Sequence, residues 1–412
     1  MNDSHLATLP LFPLPPKTSA RLDFYGEVRR FDHFGRASLE LVDAGIPYLI
    51  NEFWTAVQRQ SHSLHEISYR GCFKAQLPEF FIARLSEVGE AVYDPFAGRG
   101  TTPVQAALMG RRPVANDINP LSAMLTRPRF NPPTLQEVAR RLREISWETG
   151  EVENLDLLAF YSPRTLRHIC ALRGWLAHRG SARPLDAVDD WVRMVALNRL
   201  TGHSAGFFSV YTMPPNQAVS LSAQRKINEK RGQIPPDRDV SGIILKKSRT
   251  LLSDGLPPPV MGDQLLCSTA DLTPEIANDS VTLTVTSPPF LDIVQYADDN
   301  WLRCWFAGID VAEVAISHHR LEAGWQEMVR RTLLELARVT RSGGHVAFEV
   351  GEVRGGRVLL ERLVWAAAEG LPFERLFVMV NQQEFTKTAN CWGVGNNAKG
   401  TNTNRIVMLR RH

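Results

Sequence analysis

Hydrophobic and polar positions along this chain change period repeatedly, and each change predicts an element. Val281, Leu283 and Val285 alternate with Thr282, Thr284 and Thr286, the two-residue period of a strand made of β-branched residues. Shorter apolar runs predict strands ending at Asp94 and over 112–117. Pro78 opens a stretch in which Phe80, Phe81, Ile82 and Leu85 form one apolar face, so 78–87 is predicted helical with proline in the first turn. Residues 103–108, 134–146, 163–178 and 189–201 also read as helices, and Thr134 with Glu137 has capping-box spacing. Further on, helices over 296–308, 325–338 and 358–368 alternate with strands over 345–350, 376–380 and 404–409. The last strand is expected to be an antiparallel edge. Strand and helix in alternation predict an α/β fold around a mainly parallel sheet.

Between about 125 and 255 that rhythm fails. Pro128, Pro132, Pro133 and Pro163 interrupt it, and the segments between them are helical and rich in arginine. A basic stretch follows, with Arg225, Lys226, Lys230, Arg231, Arg238, Lys246, Lys247 and Arg249 set against Glu229, Asp237 and Asp239. Such side chains grip phosphates without reading sequence. The first residues, to about 21, form an extended arm containing Leu9-Pro-Leu-Phe-Pro-Leu-Pro-Pro16. Residues 51–66 allow a short helix leading into the alternating strand-and-helix part, and His62 and His65 there have no further ligand cluster to join.

Composition narrows the class. The chain has 412 residues, 44% of them hydrophobic and 22% charged, ordinary for a globular protein with a sizeable core. Its net charge of +3 neither demands nor excludes nucleic acid. Cys72, Cys170, Cys267, Cys304 and Cys391 are scattered and form no C-x-x-C pair, so neither a zinc site nor a disulfide framework is expected, and a reducing cytoplasm fits. No stretch is long and apolar enough to cross a bilayer, and no membrane or metal partner is expected.

Two loops carry the candidate chemistry. The strand at 281–286 stops at Ser287-Pro-Pro-Phe290. Proline fixes φ and carries no N–H, so the chain leaves the sheet stiffly at a strand's C-terminal end, where open α/β sheets bind ligands. A serine hydroxyl, proline carbonyls and the Phe290 ring suit a planar amine-bearing heterocycle. The second loop, Asp94-Pro-Phe-Ala-Gly-Arg-Gly-Thr101, reads as strand, glycine-rich turn and helix start. Glycines there let backbone approach a ligand, and helix-start N–H groups favour a carboxylate. Asp117 ends the next strand, where an acid can accept hydrogen bonds from ribose hydroxyls.

Together, Thr286-Ser-Pro-Pro-Phe290 and Phe96-Ala-Gly98-Arg-Gly100 resemble the catalytic and cofactor loops of the amino-methyltransferases that use S-adenosylmethionine to methylate exocyclic amines of DNA bases. The resemblance covers residues 68–124 and 257–412. It implies a doubly wound class I methyltransferase sheet of seven strands, the last antiparallel, with a mainly helical insertion. It also divides the chain into an arm and lead-in (1–67), a cofactor half (68–124), an inserted target-recognition region (125–256) and a catalytic half (257–412). Carried over residue by residue, it implies Ser287, Pro288, Pro289 and Phe290 as catalytic. Phe73, Lys74, Asp94, Phe96, Gly98, Gly100, Thr101, Asp117 and Asp263, with Asp271 in reserve, would meet the cofactor. Thr286, Lys387, Asn390, Trp392, Asn397, Lys246 and Lys247 would meet the substrate.

Serine at the first loop position resembles the cytosine-N4 subgroup. Adenine-N6, an RNA substrate and a retired scaffold that only binds DNA remain as alternatives. DNA is the implied partner, and the resemblance allows a cognate restriction or defence system.

Overall fold

The computed structural model describes residues 23–55, 61–213, 218–260, 262–291, 296–311, 314, 319, 321–354, 357–382 and 403–412. In chain order the first elements are α1 (Phe24–Arg29), β1 (Leu39–Asp43), β2 (Ile46–Asn51), α2 (Gln76–Leu85), β3 (Ala91–Asp94), α3 (Thr101–Leu108) and β4 (Arg112–Asn116). Helices α4 (Leu121–Thr126), α5 (Leu135–Arg143), α6 (Pro163–Ala182), α7 (Ala187–Leu197), α8 (Leu221–Arg231) and α9 (Val240–Leu251) follow. The chain then returns to the sheet through β5 (Gln264–Leu266), β6 (Val281–Thr286), α10 (Tyr296–Ala307), α11 (Glu322–Val339) and β7 (Thr340–Val350). It ends with β8 (Glu352–Val353), β9 (Val358–Leu359), α12 (Leu360–Ala367), β10 (Phe373–Gln382) and β11 (Thr403–Arg411).

The main sheet runs β1-β2-β10-β11-β7-β6-β3-β4-β5. It has nine strands where seven were expected. The two additional strands are a hairpin, β1 and β2, turned at Ala44 (φ 50°) and Gly45 (φ 77°), the positive-φ pair of a tight hairpin turn. β2 lies parallel to β10, pairing Val378 with Tyr48, so residues assigned from sequence to a lead-in belong to the sheet. The strand expected at an antiparallel edge is interior instead. β11 is antiparallel to both neighbours but sits between β10 and β7. Ser342-Gly-Gly344 lies within β7, which starts earlier than the strand expected over 345–350 and shifts register against β6 between Val281 and Leu283.

Both faces of the sheet are covered. Leu283 and Val285 pack with Phe80 and Phe81 of α2 on one side, while Val281 and Phe348 pack with Trp325, Val329 and Leu333 of α11 on the other. Thr282, Thr284 and Thr286 are therefore buried too, as in parallel sheets with helices on each face. The helices α4–α9 close a third core around Trp191, Phe160 and Leu166, which also takes Leu302 and Phe306 of α10. The predicted capping box of α5 is present, with Thr134 and Glu137 bonded reciprocally. Among the described residues no helix is long and apolar enough to cross a membrane.

Candidate active site

Strands β3, β4, β5 and β6 are neighbours and parallel, so the turns after them meet at one end of the sheet. Those turns enclose a cavity of about 400 Å³, within the range of small-ligand sites. Phe96, Gly98 and Thr101 line it from the β3 turn, Asp117 from the β4 turn, Asp271 from the turn after β5 and Ser287 from the turn after β6. Tyr69 and Phe73, from the segment before α2, complete the wall. The two loops separated by nearly the whole helical region in sequence thus border a single cleft.

Each acid here is held by local geometry. Asp117 accepts the Gly98 N–H at 2.8 Å and the Asn119 N–H at 2.9 Å, which locks the glycine-rich turn against β4. Burial raises its pKa, with those two hydrogen bonds opposing. Asp94 is buried at the end of β3; it accepts the Thr286 hydroxyl at 2.6 Å and the Phe96 N–H at 3.1 Å. Burial pushes its pKa up to about 7 in spite of these bonds. Gly100 occupies the left-handed region at φ 81°, and a Cβ there would lie 2.2 Å from Thr126 Oγ1. The position admits glycine on both counts.

Sequence reasoning missed Glu349. It lies on β7, buried, and its carboxylate accepts hydrogen bonds from the Ser287 hydroxyl and from Asn404 Nδ2, the latter at 2.9 Å. Burial raises its pKa to about 7 against those two bonds. The available signal was an acid inside the apolar run Val346-Ala-Phe-Glu-Val350, since a charged residue in a covered strand needs a partner. Arg99 was passed over as well. It lines the cavity while donating to the carbonyls of Ile67 (2.6 Å) and Phe73 (3.3 Å) and to Thr101 Oγ1 (3.1 Å).

Several expected site residues stand elsewhere. Asp263 is exposed just before β5, whose Gln264 pairs with Val114; this is the entering end of the strand, opposite the cavity. The reserve residue, Asp271, is the one at the wall. Thr286 is fully buried, donates its hydroxyl to Asp94 and does not itself line the cavity. Pro288 is buried behind Ser287 and Pro289, and the Pro289 carbonyl already accepts Trp325 Nε1–H at 2.8 Å. Phe290 packs partly buried against the α11 side of the sheet. Lys74 is half-buried and its pKa is lowered, by burial first and then by Arg99. Lys247 is ion-paired with Glu66 at 3.1 Å, whereas Lys246 beside it on α9 is exposed. Lys387, Asn390, Trp392 and Asn397 lie outside the described residues. Among the described residues, no group of three or more His, Cys, Asp or Glu is placed to hold a metal ion.

Comparison with known proteins adds family to geometry. Residues 44–124 match the sequence model of a family described as DNA methylase, of the N6/N4 type. A curated relative, the Type II methyltransferase M.MjaII of Methanocaldococcus jannaschii, is 33% identical over 90 residues. That alignment spans 22% of this chain and 17% of the relative. Two solved structures of a protein assigned as a DNA modification methylase from Thermus thermophilus align over 33% of this chain. One, a selenomethionine derivative, is 21% identical with 46% of its chain covered and a TM-score of 0.20. The other, complexed with S-adenosyl-L-methionine, is 20% identical with 49% covered and a TM-score of 0.19. The matched segment includes β3, α3 and β4 and supplies the cavity wall from Tyr69 to Asn119, so the likeness to the N6/N4 DNA methylases lies in the part of the chain that builds this side of the cavity.

Proposed function

We propose that this protein is an S-adenosylmethionine-dependent DNA methyltransferase that modifies the exocyclic amine of a base, with cytosine N4 as the target. The observation that carries the reading is the single cavity bordered by both the Gly98 turn and Ser287, with Glu349 behind the serine hydroxyl. The residues present suit the cofactor. Asp117 lines the cavity, each of its carboxylate oxygens accepting one backbone N–H, and would accept from ribose hydroxyls. Arg99 gives the wall a fixed positive charge suited to a carboxylate, and Tyr69, Phe73 and Phe96 give it aromatic surface. When bound, the cofactor supplies a methyl group on a sulfonium.

The chain's own residues handle the amine. An exocyclic amine of cytosine or adenine is a weak nucleophile because its lone pair is delocalised into the ring. Ser287 Oγ accepts one of its N–H bonds, which orients the nitrogen, and orientation beside a reactive partner supplies much of such a rate. The hydroxyl donates in turn to Glu349. Glu349 with a pKa near 7 is poised to take the proton that the amine must lose. In a duplex the base has to leave the stack first. Helices α5–α9, with the basic residues of α8 and α9, are proposed as the target-recognition region.

The test is direct. Purified protein is incubated with S-adenosylmethionine and mixed-sequence DNA, and the digested DNA is examined by mass spectrometry. N4-methylcytosine is the expected product, and N6-methyladenine would move the target to the alternative base. Ser287→Ala should keep cofactor binding and lose about 10²-fold or more in transfer. Folded wild-type protein that binds no cofactor in calorimetry would sink the reading in favour of a retired scaffold.

A further inference from the structure

The segment between Ser68 and Phe73 has two faces. Its inner face, from Tyr69, Gly71, Cys72 and Phe73, lines the cavity. The intervening Arg70 points outward, and its Nη1 lies 3.1 and 3.0 Å from the two carboxylate oxygens of Asp299. Asp299 is buried on α10, 4% exposed, and holds the half-exposed Arg70 side chain against the helix. Ser68 is clamped from the same side. Asn198 at the end of α7 bonds both its N–H (3.4 Å) and its carbonyl (3.3 Å), and Arg303 of α10 donates to that carbonyl at 3.0 Å. Helix α10 is the element that follows the Ser287 loop in the chain. It is also tied to the helical region, because the Asp299 carbonyl accepts the Ala218 N–H and Trp301 Nε1–H donates to Val219.

We infer that Arg70 and Asp299 are positioning residues: their ion pair latches the 68–73 wall of the cavity onto α10, so that the time a ligand spends in the cavity is set from the element next to the target loop. The ligand's identity rests on the function proposed above; the latch does not. The wall is held at two levels. Arg99 fixes the carbonyls of Ile67 and Phe73 from within, and the Arg70–Asp299 pair fixes the middle from outside. Breaking the outer tie frees Tyr69–Cys72 to swing while leaving the sheet and the glycine-rich turn intact. Entry of ligand then changes little and escape speeds up.

Arg70→Gln is the safer variant because this side chain is 40% exposed, and Asp299→Asn is its buried counterpart. Two measurements on the full chain decide the matter. Ligand-free hydrogen exchange should accelerate at the amides of residues 69–73 in both variants, with β3 and β6 unchanged. With S-adenosylhomocysteine as probe, stopped-flow binding should show dissociation faster by about tenfold, the scale of one charge-assisted hydrogen bond, with association nearly unchanged. The double variant should lose no more than either single one. Unchanged exchange at 69–73 in Arg70→Gln overturns the latch whatever the ligand does, as does additive behaviour in the double variant. Wild-type protein that fails to bind the probe while its Arg70→Gln variant exchanges faster would overturn the functional reading and leave the latch standing.

Discussion

Glu349 concentrates the chemistry that single residues contribute. Its carboxyl is buried, bonded to Ser287 and raised to about 7 from an ordinary 4.5 by burial. A carboxyl whose folded pKa lies above its unfolded value binds more protons folded than unfolded between the two. Stability therefore falls as pH rises from about 4.5 to about 7 and levels off above. Asp94, raised from 3.8 to about 7 by burial, adds in the same direction. Glu349→Gln removes one of the two contributions. Melting temperatures across about pH 5 to 8 should decline less steeply in the variant than in wild type. On the proposed mechanism, transfer activity needs the ionised form and should move the opposite way, rising through pH 7 in wild type. Single-turnover rates of Glu349→Gln should be lower by about 10²-fold and should lose the Glu349 limb of that rise. Equal single-turnover rates for the two proteins would remove Glu349 from the reaction.

At the scale of elements, the β3–α3 junction shows how tightly a glycine-rich turn can be specified. Gly100 is left-handed and its Cβ position is filled by Thr126 of α4. Gly100→Ala must pay about 1–2 kcal/mol for the backbone alone, plus the displacement of α4. The expected result is a lower melting temperature together with weaker cofactor binding, because the turn also presents Gly98 and Thr101 to the cavity. Thr102 anchors the same helix to the sheet by donating to the Val285 carbonyl at 2.9 Å. Thr102→Val leaves that carbonyl without this donor and should cost about 1–3 kcal/mol in denaturant unfolding. Thr102 connects the glycine-rich turn to the strand that carries the Ser287 loop, so damage there should reach both halves of the site.

For the whole molecule, the proposed function requires basic residues that meet DNA. The two lysines paired in the sequence reading are not equivalent in the fold. Lys246 is exposed on α9, and Lys247 is tied to Glu66 in the segment that leads to the cavity wall. Lys246→Glu should weaken DNA binding evenly across sequences and lower the salt slope of log K by about 1. Lys247→Glu should instead lower the melting temperature, since it sets two carboxylates face to face. A salt slope unchanged in Lys246→Glu would make that face of α9 a solvated surface only. Cofactor at about 100 times its Kd should stabilise the folded chain by about 2.7 kcal/mol, and a thermal shift checks this.

Local pattern was sufficient for much of this molecule. Alternating β-branched residues determined β6, a capping box determined the start of α5, and a Pro-Pro stop and a Gly-rich turn marked Ser287 and Gly98 as loop residues. Those features are set by neighbours within a few positions, so they survive without knowledge of the fold. Tertiary structure decided what depends on distant partners. It added the β1–β2 hairpin to the far side of β10, moved β11 from edge to interior, and put Asp271 rather than Asp263 at the cavity. It also brought Glu349 behind Ser287. A carboxylate's role follows from what buries and hydrogen-bonds it, and that is settled only when strands far apart in the chain become neighbours.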